Sequence, residues 1–185
     1  MYAGHAAIAL MVKGRRPHIP IGVLVPVAFG PDWIAWVFDL LGRHNEIISH
    51  SLVSVAVGSA LCALGYFFAT RSRGDALAIA ATYASHWPLD FITGLKPTWP
   101  GGPEVGLLLY DRRGANFLLE SVVVVMCWLV YRAMLSPSRR RVALLIPAGL
   151  IALQAGFILI QLPAIKDPIK ERLTAQSIIF HPRAR

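Results

Sequence analysis

Acidic residues are scarce in this chain of 185 residues: ten Asp and Glu stand against 18 Lys and Arg, and all charged residues together make up 15%. An ordinary soluble domain carries about 25% charged residues. Cysteine is nearly absent, with Cys62 and Cys127 each inside an apolar run. That excludes a disulfide framework, and both read as small buried hydrophobes. Also lacking are a P-loop, a dinucleotide-binding fingerprint, a His-Glu-x-x-His metalloprotease motif and a serine-nucleophile elbow, as well as internal repeats and low-complexity tracts. What is abundant is apolar residue: 56% of the chain, with a mean hydropathy of +0.57. Disorder is excluded, because such a chain cannot stay solvated and extended. The net charge of +8 is scattered among loops and forms no reading helix. It therefore points to anionic lipid rather than nucleic acid.

Five long apolar runs, about 20–41, 48–70, 75–95, 115–135 and 142–162, are separated by basic or turn residues. A bilayer core requires about 20 apolar residues of helix, and each run is close to that length. A soluble bundle would carry polar stripes at helical period. Val122–Val130 has none, and the run from Val142 to Leu162 has only Gln154 and Gln161 as strongly polar side chains. Transmembrane strands would be half as long and alternating. The expectation is an all-α polytopic membrane bundle over 1–162, with about five spans, followed by a polar C-terminal tail over 163–185. The segment from Met1 to Val12 is too short to span, and its basic cluster follows the apolar stretch rather than preceding it. It is read as a short re-entrant or interfacial helix and not as a secretory signal. Lys and Arg in the short loops favour the N-terminal side as the cytoplasmic one, although the basic tail blurs the count.

Ionisable groups inside spans cost about 2.5–3.5 kcal/mol each on insertion scales and are usually functional. His5 lies in the short first segment and Asp32 in the first long run. His50 opens the second run within Ser49-His50-Ser51, His86 and Asp90 end the third, and Glu120 begins the fourth. The spacing in Ser85-His86-Trp87-Pro88-Leu89-Asp90 puts imidazole and carboxylate on one helix face. That arrangement suits two ligands of one metal, or a carboxylate orienting an imidazole. Each residue also has a blander explanation. His86 and Asp90 can lock a helix as an ion pair, and the flanking serines can cap His50 at an interface. Asp32 can cap a helix restarting after Gly30-Pro31, His5 can snorkel, and Glu120 can be solvated at a span end. Asp39 is read as interfacial, and His18, His44 and His181 as surface. Dispersed groups that are costly one by one become cheap if they converge on a cation. Mixed imidazole and carboxylate donors suit Zn²⁺ best, with Mn²⁺ or Fe²⁺ as alternatives.

At these residues the chain resembles the small inner-membrane proteins called membrane-bound metal-dependent hydrolases. The matching pieces are Gly4-His5, Pro31-Asp32, Ser49-His50-Ser51, Ser85-His86 with Asp90, and Trp99-Pro100-Gly101-Gly102-Pro103 followed by Val105-Gly106-Leu107. Glu120 falls where some members keep an acidic residue. The order of ligand types is also similar to that of zinc-dependent phospholipase C. The resemblance implies His5, Asp32, His50, His86 and Asp90 as metal ligands and Asp90 and Glu120 as catalytic groups. It implies hydrolysis of an ester or phosphoester, lipid-linked or lipid-adjacent, in the inner (plasma) membrane. Two departures stand out: Ile34 occupies the place of a second Asp, and the stretch before His50 keeps only the final His-Ser of a longer motif, with His44 out of register. Two rivals use the same residues: a small transporter with an intramembrane proton or ion path, and a non-catalytic scaffold in which the polar groups only join helices.

Overall fold

The computed structural model describes residues 2–42 and 46–161. The expected tail over 163–185, and Arg43 and His44 of the altered motif, lie outside the described residues. The chain folds as α1 (Tyr2–Arg15), α2 (Ile21–Ala28), α3 (Gly30–Leu40), α4 (Glu46–Ser49), α5 (Leu52–Thr70), α6 (Arg73–Ala84), α7 (His86–Thr93), β1 (Lys96–Pro97), β2 (Glu104–Val105), α8 (Arg113–Ala133), α9 (Pro137–Val142) and α10 (Leu145–Gln161). The helical class is as expected, and the only sheet among the described residues is the antiparallel pair β1–β2.

Polarity is inverted relative to a water-soluble domain. Leu52, Val57, Leu61 and Phe68 of α5, and Leu118, Val122, Met126 and Leu129 of α8, are exposed, whereas His5, His50, Thr82, His86, Asp90, Asn116, Glu120 and Gln154 are buried. Soluble proteins bury such polar groups rarely, while in lipid it is the polar side chains that turn inward. Three stretches, Leu52–Thr70, Arg113–Ala133 and Pro137–Leu159, are long and apolar enough to cross a membrane. A fourth is obtained if α2 and α3, bent by 64° at their junction, count as one span. The expected span 75–95 is instead two helices of 12 and eight residues, broken at Ser85. The Ser85 hydroxyl donates to the Thr82 carbonyl at 2.7 Å, and Pro88 falls in the first turn of α7, where its missing N–H costs little.

From sequence the first helix reads as re-entrant or interfacial. In the fold α1 lies inside the bundle, with Ala3, His5, Ala7 and Ala9 all buried, which speaks against the interfacial alternative. Its small residues explain this. Ala3 and Ala7 pack on Val124 and Cys127 of α8, and a Cβ on Gly14 would lie 2.9 Å from the Tyr131 Cα, so the two backbones approach closely, as small-residue interfaces in membranes permit. The Gly4 N–H meets the Glu120 carboxylate at one end and Gly14 meets Tyr131 at the other, so α1 and α8 run parallel. The other face of α1 carries Ala9 into a core with Ile19, Leu24, Ala28 and Ile79.

These contacts give the bundle two chemically different ends. His5, His50, His86, Asp90 and Glu120 lie at one end. Lys13, Arg15 and Arg16 of α1, Arg71 and Arg73 of the α5–α6 turn, and Arg132 with Arg139–Arg141 lie at the other. Ser51 caps α5 by accepting from the Ser54 N–H at 3.1 Å, a contact worth about 1 kcal/mol. Tyr83 is wedged between α3 and α5: a Cβ on either Gly30 or Gly58 would fall on its ring or hydroxyl. At Gly65, on the same helix as Gly58, a Cβ meets nothing within 4 Å among the described residues. Gly58→Ala should therefore lower the thermal unfolding midpoint in detergent, with an overpacking cost of about 1–3 kcal/mol. Gly65→Ala should leave it unchanged or raise it.

Candidate metal centre

The site begins at a backbone break. Pro31 has no N–H to offer the preceding turn, Tyr83 presses on Gly30, and the helix axis turns by 64° between Ala28 and Gly30. The break has two consequences. It places Asp32 in the first turn of α3, where a carboxylate suits the helix dipole, and it leaves the Ala28 carbonyl open to a side chain. His86 Nδ1 lies 2.9 Å from that oxygen. A carbonyl can only accept, so Nδ1 carries the proton and donates.

This hydrogen bond fixes what the other nitrogen can do. His86 Nε2 is buried, with no hydrogen-bond partner among the described residues. It faces Asp90 Oδ2 at 3.4 Å and Asp32 Oδ1 at 3.7 Å. A lone pair directed at two carboxylate oxygens is repulsive until positive charge enters between them. His50 Nε2 closes the arrangement, 3.1 Å from Asp32 Oδ1 and 3.7 Å from Asp90 Oδ2. Four of the six separations among these atoms are thus 3.1–3.7 Å. Ligands of one tetrahedral zinc, with bonds of about 2.0–2.2 Å, stand roughly 3.3–3.6 Å apart. Two groups of three side chains, His5 with Asp32 and His86, and His50 with His86 and Asp90, hold their donor atoms within 4.8 Å of one another. His86 belongs to both.

His5 contributes from α1. Its ring stacks on His86 with centroids 3.9 Å apart and planes 4° from parallel, and its Nε2 lies 3.3 Å from Asp90 Oδ1. It does not snorkel: it is 1% exposed. On the far side of His50, Ser49 Oγ sits 2.8 Å from Nδ1. The chain Ser49–His50–Asp32 thus has the residue types of a hydrolytic triad. Ser49, however, is 2% exposed, too deep for a substrate carbonyl to reach, so its hydroxyl orients the imidazole. The turn between α4 and α5 brings the hydroxyl onto the ring.

Of the residues expected at a site, His5, Asp32, His50, His86 and Asp90 converge. Glu120 is in neither donor group. One of its oxygens accepts from the Gly4 N–H at 3.1 Å and the other from Gln154 Nε2 at 2.9 Å, so the carboxylate ties α1 and α10 to α8 one residue away from His5. Asp39 is exposed, consistent with its interfacial reading. His18, taken as surface, meets Asp75 at 2.8 Å at the opposite end of the bundle. The sequence reading missed Lys96, whose Nζ lies 3.2 Å from Asp90 Oδ2. It also missed Gln154 as the partner of Glu120, although that residue's isolation in a long apolar helix was a usable signal. No family model, curated protein or solved structure matches the chain.

The role of Glu120 in joining helices is open to measurement. Glu120→Ala leaves the Gly4 N–H and the Gln154 amide without an acceptor and should destabilise the fold by about 1–3 kcal/mol for each buried group left unpaired. Glu120→Ala combined with Gln154→Leu should recover part of that loss. Thermal unfolding of the two single variants and the double variant gives the coupling.

Proposed function

We propose that the chain is an integral membrane protein, embedded in the plasma membrane, that holds one divalent metal ion and uses it to hydrolyse an ester or phosphoester. The observation that carries this reading is the locked state of His86. With Nδ1 donating to the Ala28 carbonyl, Nε2 presents its lone pair to Asp32 and Asp90 inside an apolar bundle. A proton on Nε2 would offset the contacts of His86 with Asp32 and Asp90. A metal ion would draw in the His50 imidazole as well, and imidazole with carboxylate is a donor set for Zn²⁺ first and Mn²⁺ or Fe²⁺ second.

The ligands in this reading are Asp32, His50, His86 and Asp90. His86 has only one nitrogen to give, which favours one ion over two. His5, the fifth residue implied by the resemblance to membrane-bound metal-dependent hydrolases, fits better as the residue that orients Asp90. Its ring is parallel to that of His86, so in-plane lone pairs of the two rings do not converge on one point, whereas an Nε2–H donated to Asp90 Oδ1 turns Oδ2 toward the other donors. Such partners of a metal ligand commonly fix its orientation. Glu120 then supports the site through α1 rather than acting as a base.

A divalent metal here would bring the pKa of its water from 15.7 to about 7, supplying a nucleophile at neutral pH. The protein's own contribution is orientation: Ala28 and Ser49 set the two imidazoles, His5 sets Asp90, and the buried histidines keep bulk water from the inner face.

Elemental analysis of detergent-purified, chelator-free protein tests the proposal. One metal per chain is expected in wild type, with at least tenfold less in His86→Ala and Asp90→Ala. Glu120→Gln should keep its metal. Wild-type protein without stoichiometric metal overturns the site. Stoichiometric metal with no turnover of a panel of esters and phosphoesters overturns the hydrolase alone and leaves a metal-stabilised scaffold. A proton or ion flux in proteoliposomes that disappears in His86→Ala would favour a transporter.

A further inference from the structure

Among the described residues, Lys96 is the one charged residue at the site that the metal reading does not use, and its surroundings are well built. It opens β1 and pairs with Val105 of β2. The Thr98 N–H donates to the Pro103 carbonyl at 3.0 Å, and the Leu107 N–H donates to the Phe91 carbonyl of α7 at 2.8 Å. Gly106 lies directly against the Gly94 backbone, where a side chain would not fit. The Val53 N–H, in the first turn of α5, donates to the Thr98 carbonyl at 3.2 Å. The strand carrying Lys96 is therefore fastened both to the helix that carries Asp90 and to the helix that follows His50. A lysine serving only as solvated surface charge needs no such mounting.

Its exposure gives its position. The side chains of His86, His5, His50 and Asp90 are 0–7% exposed, that of Lys96 is 16% and that of Asp32 is 30%. Asp32 and Lys96 therefore form the accessible edge of the cluster, and an arriving molecule meets that edge first. Asp32 and Asp90 sum to two negative charges, which a divalent ion would cancel. Lys96 then leaves the loaded site with one positive charge at its open edge. Once Asp90 shares its charge with an ion, the hold of its Oδ2 on the ammonium weakens. Three N–H donors on a compact cation become available to a negative oxygen.

We infer that Lys96 is the substrate-binding residue of this site and that the substrate carries an anionic phosphoryl group, so that phosphoesters are taken in preference to uncharged carboxylic esters. The inference rests on the metal reading above. It also makes anion binding depend on the metal, because Asp32 with its charge uncancelled repels an anion at the same edge. The phosphoryl group has two sources, a soluble phosphoester or a lipid headgroup. Trp33 and Trp36, exposed on the helix that carries Asp32, are the residue type that gathers at membrane interfaces.

The experiment uses full-length, detergent-purified, zinc-loaded protein, with metal content measured alongside. Isothermal titration with inorganic phosphate should show binding to wild type and to Lys96→Arg, at least tenfold weaker binding to Lys96→Gln at equal zinc, and little binding to metal-stripped wild type. For bis(p-nitrophenyl) phosphate the Lys96→Gln variant should raise KM at least tenfold, and by several-fold more than it raises KM for p-nitrophenyl acetate. Phosphatidylglycerol in mixed micelles, compared with the soluble diester, separates the two sources: a lower KM for the lipid assigns the headgroup, and a lower KM for the soluble diester assigns a free phosphoester. Equal phosphate affinity in wild type and Lys96→Gln, both with full zinc, overturns the role of Lys96 and leaves the metal site standing. Wild-type protein that takes up no zinc overturns both. Should Lys96→Gln fail to fold, Lys96→Arg carries the test, and loss of phosphate binding at full zinc in that variant counts against charge recognition.

Discussion

The hydrogen bond from His86 Nδ1 to the Ala28 carbonyl is the constraint on which the site depends. It exists because α2 and α3 are not one helix. Gly30 admits the Tyr83 ring, Pro31 withholds an N–H, and the chain turns. The same break delivers Asp32 to the cluster from the opposite side. Backbone geometry, an imidazole tautomer and a carboxylate position are thus three results of one local sequence, Gly30-Pro31-Asp32. Irregular backbone at membrane depth is tolerated where protein surrounds it, and Tyr83, His86 and Ala28, all buried, provide that surrounding.

The remainder of the fold follows from the cost of polar groups in an apolar setting. Several buried polar side chains outside the cluster have a partner on another helix or one turn back. Ser59 donates to the Ala80 carbonyl, Trp128 to the Ala143 carbonyl and Thr82 to the Ala78 carbonyl. Glu120, Gln154 and Gly4 satisfy one another across three helices. Helices gain little by hiding apolar surface from lipid, so these pairings and the close Ala and Gly contacts of α1 with α8 supply the association. Among the described residues, three of the seven buried side-chain atoms that lack a hydrogen-bond partner are on His5, Asp32 and His86, residues of one cluster.

What could be read from the sequence was what depends on spacing and contrast. His86 and Asp90 share a face because they are four residues apart, whatever the tertiary fold, and Asp32 and His50 were conspicuous because their neighbours are apolar. The long runs at 48–70, 115–135 and 142–162 correspond to helices of membrane-crossing length. What was hidden depends on partners distant in sequence or on groups with no sequence signature. The Ala28 carbonyl is backbone and has no letter of its own. The Ser85 break inside 75–95 arises where a hydroxyl competes for a backbone acceptor, which hydropathy cannot register. Lys96 sits among prolines and glycines in a loop, where a charged residue ordinarily reads as solvated. Length alone left α1 open between re-entrant and interfacial, while its Ala and Gly content was the better signal of a helix made to be packed on both sides.

That inner helix explains how so small a bundle can hold a cluster of five polar side chains. Residues on α3, α5 or its preceding turn, and α7 can approach one another only if something fills the axis between them without taking much room. A helix faced with Ala3, Ala7, Ala9 and Gly14 does so, and it can carry a single imidazole inward at His5. The Glu120 carboxylate grips the Gly4 N–H, the residue immediately before that imidazole. The height of His5 is therefore set from α8, and the stacking of His5 on His86 sets the ring that faces Asp32 and Asp90. A carboxylate on the helix adjoining the cluster thus bears on its geometry through one backbone donor and one pair of stacked rings.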